Sequence, residues 1–147
     1  MTSERGFTLL EVTIALAVVA ITAGLVLPRL ADLGALRVTT AARRLAGDLT
    51  LARDRAILGG RPVRLVVDVD RGAWWSEPAL VRGTAPAGVR IGGVRGGDAD
   101  GGRTTIVLSP GGDARPVRVD LRDDRGHAAQ VVVPAGPQRI AAVEVAR

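Results

Sequence analysis

The feature that most constrains this chain is a nearly uninterrupted apolar stretch close to its N-terminus. Residues 7–27 contain one charged residue, Glu11, whereas charges recur every few residues from Arg29 onward. Because each helical residue rises about 1.5 Å, these 21 residues span about 31 Å, close to the bilayer hydrocarbon thickness of about 30 Å. We therefore predict one transmembrane helix, with the rest of the chain in water.

The residues on either side of the apolar stretch predict its orientation and set it apart from an ordinary signal peptide. The short polar leader, residues 1–6, carries Arg5, which favours the cytoplasmic side of the membrane. A signal peptide has an apolar run of only about 7–15 residues and a small-residue cleavage site behind it. Here Pro28 and Arg29 follow instead, so the C-terminal bulk is predicted to be exported on an uncleaved helix.

The composition excludes most kinds of enzymatic site. The chain has no Cys, one His and no Lys, which excludes cysteine zinc sites, thiolate catalysis, histidine metal clusters and Schiff-base chemistry. Ser76 and Ser109 do not lie in a Gly-x-Ser-x-Gly elbow. We therefore expect a protein that is not an enzyme, with no cofactor and no metal centre.

The residues directly before the apolar run form a recognisable string. Arg5-Gly6-Phe7-Thr8-Leu9-Leu10-Glu11-Val12 resembles the class III signal of type IV pilins and type II secretion pseudopilins. In that family a membrane-embedded prepilin peptidase cuts after the Gly and methylates the new N-terminal Phe, and a Glu is the fifth residue of the mature chain. The resemblance therefore implies cleavage between Gly6 and Phe7 and N-methylation of Phe7.

Glu11 has two interpretations. A carboxylate in the first turn of a helix lies near the headgroups and is favoured by the positive end of the helix dipole. The resemblance implies a second role, in which Glu11 neutralises the ammonium of Phe7 on a neighbouring subunit within a low-dielectric helix bundle. Pro28 also has two interpretations and stands where the family commonly has a Pro. Together with Gly24 it weakens the helix locally, or it simply marks the membrane exit.

The residues after Pro28 predict an amphipathic continuation of the helix over residues 29–58. Apolar side chains recur at spacings of mainly three and four residues: Leu30, Leu33, Val38, Ala41, Leu45, Leu49, Ala52 and Ala56. The opposite face is predicted to carry Arg37, Arg43, Arg44, Asp48, Arg53, Asp54 and Arg55. Gly59 and Gly60, before Pro62, end a helix of about fifty residues.

Short strands separated by Gly, Asp and Pro predict a β domain over residues 62–147. Turn residues at 70–72 and 123–126 make antiparallel neighbours the default. The fold class is therefore α+β, with a long N-terminal helix, half transmembrane and half amphipathic, packed on a small antiparallel β-sheet or β-sandwich. The predicted strands are 63–69, 73–77, 89–91, 104–108, 117–121, 129–133 and 140–145.

This arrangement is more similar to the GspH/FimT minor pseudopilins than to the major pseudopilin. Minor members of the family tend to have long variable loops, and the glycine-rich residues 92–102 are predicted to form a mobile one. Asp98 and Asp100 within it resemble the opening of a calcium loop, but the later bidentate Glu is missing. We interpret the segment as a solvated loop.

Three other features of the β domain have open interpretations. Adjacent strand residues point to opposite faces, so one of Trp74 and Trp75 is predicted to enter the core while the other lies near the surface and either anchors a partner or covers apolar surface. His127 is interpreted as a surface turn residue, with a pH-sensitive contact as the alternative. Arg139 and Arg147 are the basic residues of the tail through which DNA binding would have to act.

The function implied by the resemblance is that of a minor pseudopilin, near the tip of a type II secretion pseudopilus that helps to export folded proteins across the outer membrane. Its partners would be prepilin peptidase, other pseudopilins or pilins in a hetero-oligomeric fibre, the inner membrane and secreted cargo. The alternative is a minor type IV pilin for adhesion, motility or DNA uptake, with DNA bound by the Arg-rich β domain. A plain membrane-anchored β domain is a third hypothesis.

Coexpression with a prepilin peptidase tests the processing signal. We expect the intact mass of the purified protein to show loss of residues 1–6 and gain of about one methyl group, because the peptidase cuts before Phe7 and methylates it. The Gly6→Ala variant should keep its leader. An uncut wild-type chain would instead favour the plain membrane anchor.

Overall fold

The structure, a computed structural model, describes residues 8–31 and 33–145. The chain divides into two compact units, Met1–Leu33 and Gly34–Arg147. The first unit contains helix α1, Leu9–Ala31. Within the described residues, no helix is both long and apolar enough to cross a membrane.

Helix α2, Leu33–Gly59, contributes to the second unit from Gly34 onward. It ends where the paired glycines predict, and Gly60 follows with a positive φ of 59°, a backbone conformation that glycine adopts without steric cost. The predicted apolar stripe is confirmed from residue 38 onward, while the side chains of Leu30 and Leu33 lie outside the described residues. Its buried members are Val38, Ala41, Leu45, Leu49, Ala52 and Ala56.

Nine strands form two antiparallel sheets in the described part of the second unit. The five-stranded sheet has the order β3-β2-β1-β6-β5, from β1 (Val63–Asp68), β2 (Ala73–Glu77), β3 (Arg82–Thr84), β5 (Asp98–Asp100) and β6 (Arg103–Leu108). The four-stranded sheet has the order β4-β7-β8-β9, from β4 (Val89–Arg95), β7 (Val117–Asp123), β8 (Ala128–Val133) and β9 (Ala141–Val145). Each of the seven predicted strands overlaps one of these, so the predicted antiparallel β domain is confirmed.

The prediction of one long loop over residues 92–102 is wrong. Strand β4 continues to Arg95 through a bulge after Ile91, and β5 pairs with β6. The glycines act at the bulge and in the tight turns between strands, where Gly96, Gly97, Gly101 and Gly102 all have positive φ. Composition suggested a loop because the extension of β4 depends on pairing with the distant strand β7, and because β5 has only three residues. Strand β3 also has only three residues, which is too few for an alternating pattern to predict it.

One hydrophobic core joins α2 to the inner faces of both sheets. At its centre Trp74 is fully buried, and its Nε1 donates a hydrogen bond to Asp48 of α2 across 2.7 Å. This bond satisfies the one polar atom of the indole while most of the ring packs among apolar side chains. The indole lies directly over Gly83 of β3, where a Cβ atom would overlap its ring.

The hairpin between β7 and β8 is held by the carboxylate of Asp123. Its Oδ1 accepts hydrogen bonds from the backbone N–H groups of Arg125 and His127, and its Oδ2 lies 2.7 Å from Nδ1 of His127. The bond to the His127 ring lowers the pKa of Asp123 most, burial opposes this, and the two backbone donors lower the pKa further. His127 is therefore a half-buried partner of Asp123, and not only the surface residue that the sequence favoured.

The contact between Trp74 and Gly83 predicts that Gly83→Ala destabilises the soluble unit, residues 34–147, by about 1–3 kcal/mol, because the added methyl group displaces the indole. Gly47→Ala is the matched control, since a Cβ there meets no atom within 4 Å, and alanine in a helix interior should stabilise by about 0.5–1 kcal/mol. Urea unfolding measures both changes. Equal stability of Gly83→Ala and wild type would contradict the described packing.

The low pKa of Asp123 predicts a pH-dependent stability. Because its folded-state pKa lies below the ordinary value of 3.8, the stabilisation is complete above about pH 5 and is lost as the pH falls through the folded-state pKa. Asp123→Asn should therefore lower the melting temperature at pH 7, and the wild-type and variant curves should converge in acid below pH 3.8. Asp124→Asn removes only an exposed ion pair with Arg90 and should change the melting temperature much less at every pH.

Candidate functional site

The predicted processing site, Gly6 and Phe7, lies outside the described residues, so cleavage and methylation there stay predictions. The described chain begins with Thr8, which caps α1. Its carbonyl accepts a hydrogen bond from the backbone N–H of Glu11 at 3.0 Å, and its Oγ1 lies 3.3 Å from the same nitrogen. Thr8 and Glu11 thus have the spacing of a capping box, and Glu11 lies in the first helical turn, where the helix dipole favours a carboxylate.

The described part of α1 exposes apolar side chains around its circumference, including Leu9, Leu16 and Ile21, which are 64–87% exposed. Its two threonines after the cap return their hydroxyls to the helix itself, Thr13 to the carbonyl of Leu9 and Thr22 to those of Val18 and Val19. A helix that is apolar all round requires an apolar environment. Over residues 9–23 of α1, Glu11 is then the one charged side chain that such an environment leaves to be neutralised.

Gly24 and Pro28 both lie within α1, which continues to Ala31. Proline has no backbone N–H, and in a helix the missing bond is the one to the carbonyl four residues earlier. For Pro28 that carbonyl belongs to Gly24, so both residues act on the same helical turn. The chemistry of the pair supports the predicted local weakening, which stays a prediction.

The paired tryptophans of β2 have opposite environments. Trp74 points into the core, whereas Trp75 is half-buried on the outer face of the five-stranded sheet. The guanidinium of Arg103 lies 5.7 Å from the centre of the Trp75 ring, within the range of a cation–π interaction. The question that the sequence left open is therefore answered, because Trp75 is the ring that a partner can reach.

The surface around Trp75 is a shallow hollow of about 430 Å³ whose lining includes Arg64, Val66, Glu77 and Arg103. Arg103 is held in place by a 3.1 Å bond to buried Asp68. The backbone N–H of Arg71 lowers the pKa of Asp68 most, burial opposes this, and Arg103 lowers the pKa further. A charged and aromatic hollow of this kind suits contact with a protein surface.

The two aspartates that resembled a calcium loop lie on strand β5. The side chain of Asp98 forms an ion pair of 2.9 Å with Arg115, and both partners are largely exposed. Within residues 8–31 and 33–145, no group of three His, Cys, Asp or Glu side chains is placed to hold a metal ion. The two aspartates, which we predict to lie in a solvated loop, are thus part of a strand.

The serines and the histidine of the soluble unit have structural partners in turns. The Oγ of Ser76 donates to the carbonyl of Pro78 and accepts from the backbone N–H groups of Leu80 and Val81. The Oγ of Ser109 accepts from the N–H of Asp113. With His127 bonded to Asp123, each of the three stabilises a local turn.

The segment between β8 and β9 corrects one prediction about α2. The sequence predicts Arg53 on the solvent-facing side of the helix, but it is 6% exposed. It follows the buried Leu49 by one helical turn, and the segment that contains Gln138 covers it. Its Nη1 donates to the carbonyl of Gln138 at 2.6 Å, while Nε and Nη2 have no hydrogen-bond partner among the described atoms. Arg139, by contrast, is exposed and borders a groove of about 740 Å³ between α2 and β9.

Known proteins resemble this chain at both ends. Residues 1–27 match the prokaryotic N-terminal methylation motif, and residues 41–136 match the family described as type II transport protein GspH. Type II secretion system protein H of Escherichia coli K12 is 48% identical over 65 residues. That alignment covers 43% of this chain and 38% of the relative's length.

Solved structures show the same fold at low sequence identity. Two structures of the minor pseudopilin EpsH from the type II secretion system of Vibrio cholerae superpose with TM-scores of 0.57 and 0.61, at 13% and 12% identity. The superpositions cover 75% and 76% of this chain and 97% and 96% of EpsH. The resemblance seen in the sequence is thereby confirmed. The chain belongs to the GspH family of type II transport proteins.

Proposed function

We propose that this chain is a minor pseudopilin, a structural and non-enzymatic subunit near the tip of a type II secretion pseudopilus. The observation that carries the proposal is the joint match of residues 1–27 to the methylation motif and of residues 41–136 to the GspH family. The fold shared with EpsH supports it. The work of such a subunit is mechanical, because a growing fibre helps to move folded proteins through an outer-membrane channel.

Four segments of the chain have separate roles in this function. Residues 1–6 are the leader removed by prepilin peptidase between Gly6 and Phe7, and Phe7 then receives the methyl group. Residues 7–28 anchor the subunit in the membrane and assemble it into the fibre. Residues 29–58 are the soluble half of the helix, and residues 62–147 form the periplasmic β domain that contacts other subunits and cargo.

The placement in the cell follows from the family, whose members are anchored in the inner membrane and assemble a periplasmic pseudopilus. A single-pass topology rests on the length and hydropathy of residues 7–27 in the sequence and on the apolar surface of described α1. Resistance of the protein to extraction from membranes by alkaline carbonate tests this part of the proposal. Release into the soluble fraction would contradict it.

Glu11 sets the axial position of the subunit in this proposal. Cleavage leaves an ammonium on Phe7, and the carboxylate of Glu11 on an adjacent subunit neutralises it where the surrounding helices exclude water. The alignment of one charge with another selects one stagger between helices that are otherwise apolar. Gly24 and Pro28 let the helix adjust to its neighbours at one turn.

The type IV pilus alternative shares the processing signal but is not favoured, because the matching family and both matching structures belong to type II secretion. The C-terminal tail offers few basic residues to bind DNA. Arg139 is exposed there, while Arg147 lies outside the described residues.

A deletion strain tests the function. We expect loss of the gene to reduce the amount of type II substrate in the medium and the wild-type chain to restore it. Glu11→Gln should reduce incorporation of the subunit into sheared pseudopilus fibres by at least about tenfold, since loss of this pairing costs more than about 1.4 kcal/mol. Glu144→Gln, at an exposed carboxylate of β9, is the matched control and should behave as wild type. Unchanged secretion in the deletion strain would refute the proposal.

A further inference from the structure

The outer face of the four-stranded sheet, which we call the arginine face, has an uneven distribution of charge. It consists of the side chains of β4, β7, β8 and β9 that point away from the core, opposite buried residues such as Val119 and Val131. Strands β4 and β7 contribute four arginines, whereas β8 and β9 contribute mainly Val and Ala. The arginines are Arg90, Arg95, Arg118 and Arg122.

These arginines face one another across the two strands. Arg90 is directly opposite Arg122, and Arg95 is directly opposite Arg118. Like charges in directly opposite positions destabilise an antiparallel sheet, and opposite charges there stabilise it. The stability of the fold therefore does not account for either pair.

The carboxylates nearby compensate only half of the cationic charge. Asp124 lies 3.3 Å from Arg90, and Asp120 lies 3.1 Å from Arg95. The second oxygen of Asp120 accepts from Gln130 at 2.6 Å. Within the described part of the chain, no ion pair includes Arg118 or Arg122. One Nη of Arg122 donates to the carbonyl of Gly92 at 3.2 Å, so its other N–H groups and the guanidinium of Arg118 are the donors available to an external carboxylate.

The half of the arginine face formed by β8 and β9 is apolar, and its side chains lie in the same cross-strand rows as the arginines. Val132 of β8 lies directly opposite Arg118 of β7. Val143 and Val145 of the edge strand β9 are 50% and 46% exposed. A hollow of about 490 Å³ adjoins the Arg95 and Arg118 pair, and its lining includes Pro116, Val132 and Pro134. The hollow is suited to an apolar side chain with carboxylates beside it.

We propose that the arginine face docks a second pseudopilin of the same fibre, through a surface that presents carboxylates to Arg118 and Arg122 and apolar side chains to β8 and β9. The inference rests on the proposed function. A protein surface matches both halves of the face, whereas the backbone of a nucleic acid would leave the apolar half uncovered. Both tryptophans lie in the five-stranded sheet, so the arginine face also lacks the aromatic side chains typical of membrane-surface contact.

The experiment measures binding of the soluble unit, residues 34–147, to the purified soluble domains of the other pseudopilins of the same secretion system. The unit folds without α1, since its whole core lies between Val38 and Ile140. The test variant is Arg118→Glu with Arg122→Glu, which turns both like-charged pairs into opposite-charged pairs. We expect an equal or higher melting temperature together with at least about tenfold weaker binding to one pseudopilin, as when charge pairs are lost from an interface.

Two further variants test whether the location of the charge change, and not the net charge, weakens binding, and whether the apolar half of the face contributes. Arg55→Glu with Arg61→Glu makes the same charge change at exposed positions outside the arginine face and should bind within about twofold of wild type. Val143→Asn removes apolar surface at unchanged charge and should also weaken binding. Equal binding by the Arg118 and Arg122 variant and by the Arg55 and Arg61 control would overturn the inference.

Other occupants of the face are outcomes of the same experiment. Duplex DNA and vesicles containing phosphatidylglycerol are tested as separate probes. If the Arg118 and Arg122 variant loses binding to either one but keeps binding to every pseudopilin, the inference is overturned. If the wild-type chain restores secretion in the deletion strain while this variant binds pseudopilins normally, the docking face is wrong and the pseudopilin function stands. A wild-type chain that neither restores secretion nor binds a pseudopilin overturns both.

Discussion

The packing of α2 against both sheets is the contact on which the soluble unit depends. Alanines at positions such as 42, 52 and 56 are completely buried and let the helix backbone approach the sheets closely. The hydrogen bond between Trp74 and Asp48 ties helix and sheet together at the centre of this contact, and Gly83 provides the space that the indole occupies. Because the inner faces are used in this way, the outer faces of the two sheets and the exposed side of α2 are the surfaces left for contact with other proteins.

The two units of the chain use charge in opposite ways. Over residues 9–23 of α1 the threonine hydroxyls are satisfied by the helix itself, so Glu11 is the charge that can select a partner in an apolar environment. In the soluble unit charged side chains are abundant, and where each one lies decides its role. Asp68 and Asp123 are buried and hold turns and neighbouring side chains in place, while the arginines of the four-stranded sheet face one another on its surface.

Much of the fold was predictable because its signals are local. The helical period, the Gly-Gly terminus of α2 and seven of the strands each depend on residues close together in the chain. Strands β3 and β5 and the burial of Arg53 were not predictable in this way. Strands β3 and β5 have three residues each, too few to show an alternating pattern, and Arg53 is covered by a segment far away in sequence. The glycine content of residues 92–102 indicated a loop where the glycines make a bulge and turns.

The sequence by itself determined the family, the N-terminal methylation motif and the alternation of elements, since a run of residues from Gly6 to Glu11 and the hydrophobic periods need no tertiary context. Only the tertiary structure decided which tryptophan is exposed, which aspartates are buried, and that Arg90 and Arg95 lie opposite Arg122 and Arg118. The arginine pairs arise from strand register between residues more than twenty positions apart, and the burial of Trp74 from its contact with Asp48 of α2, which no local pattern of the sequence encodes.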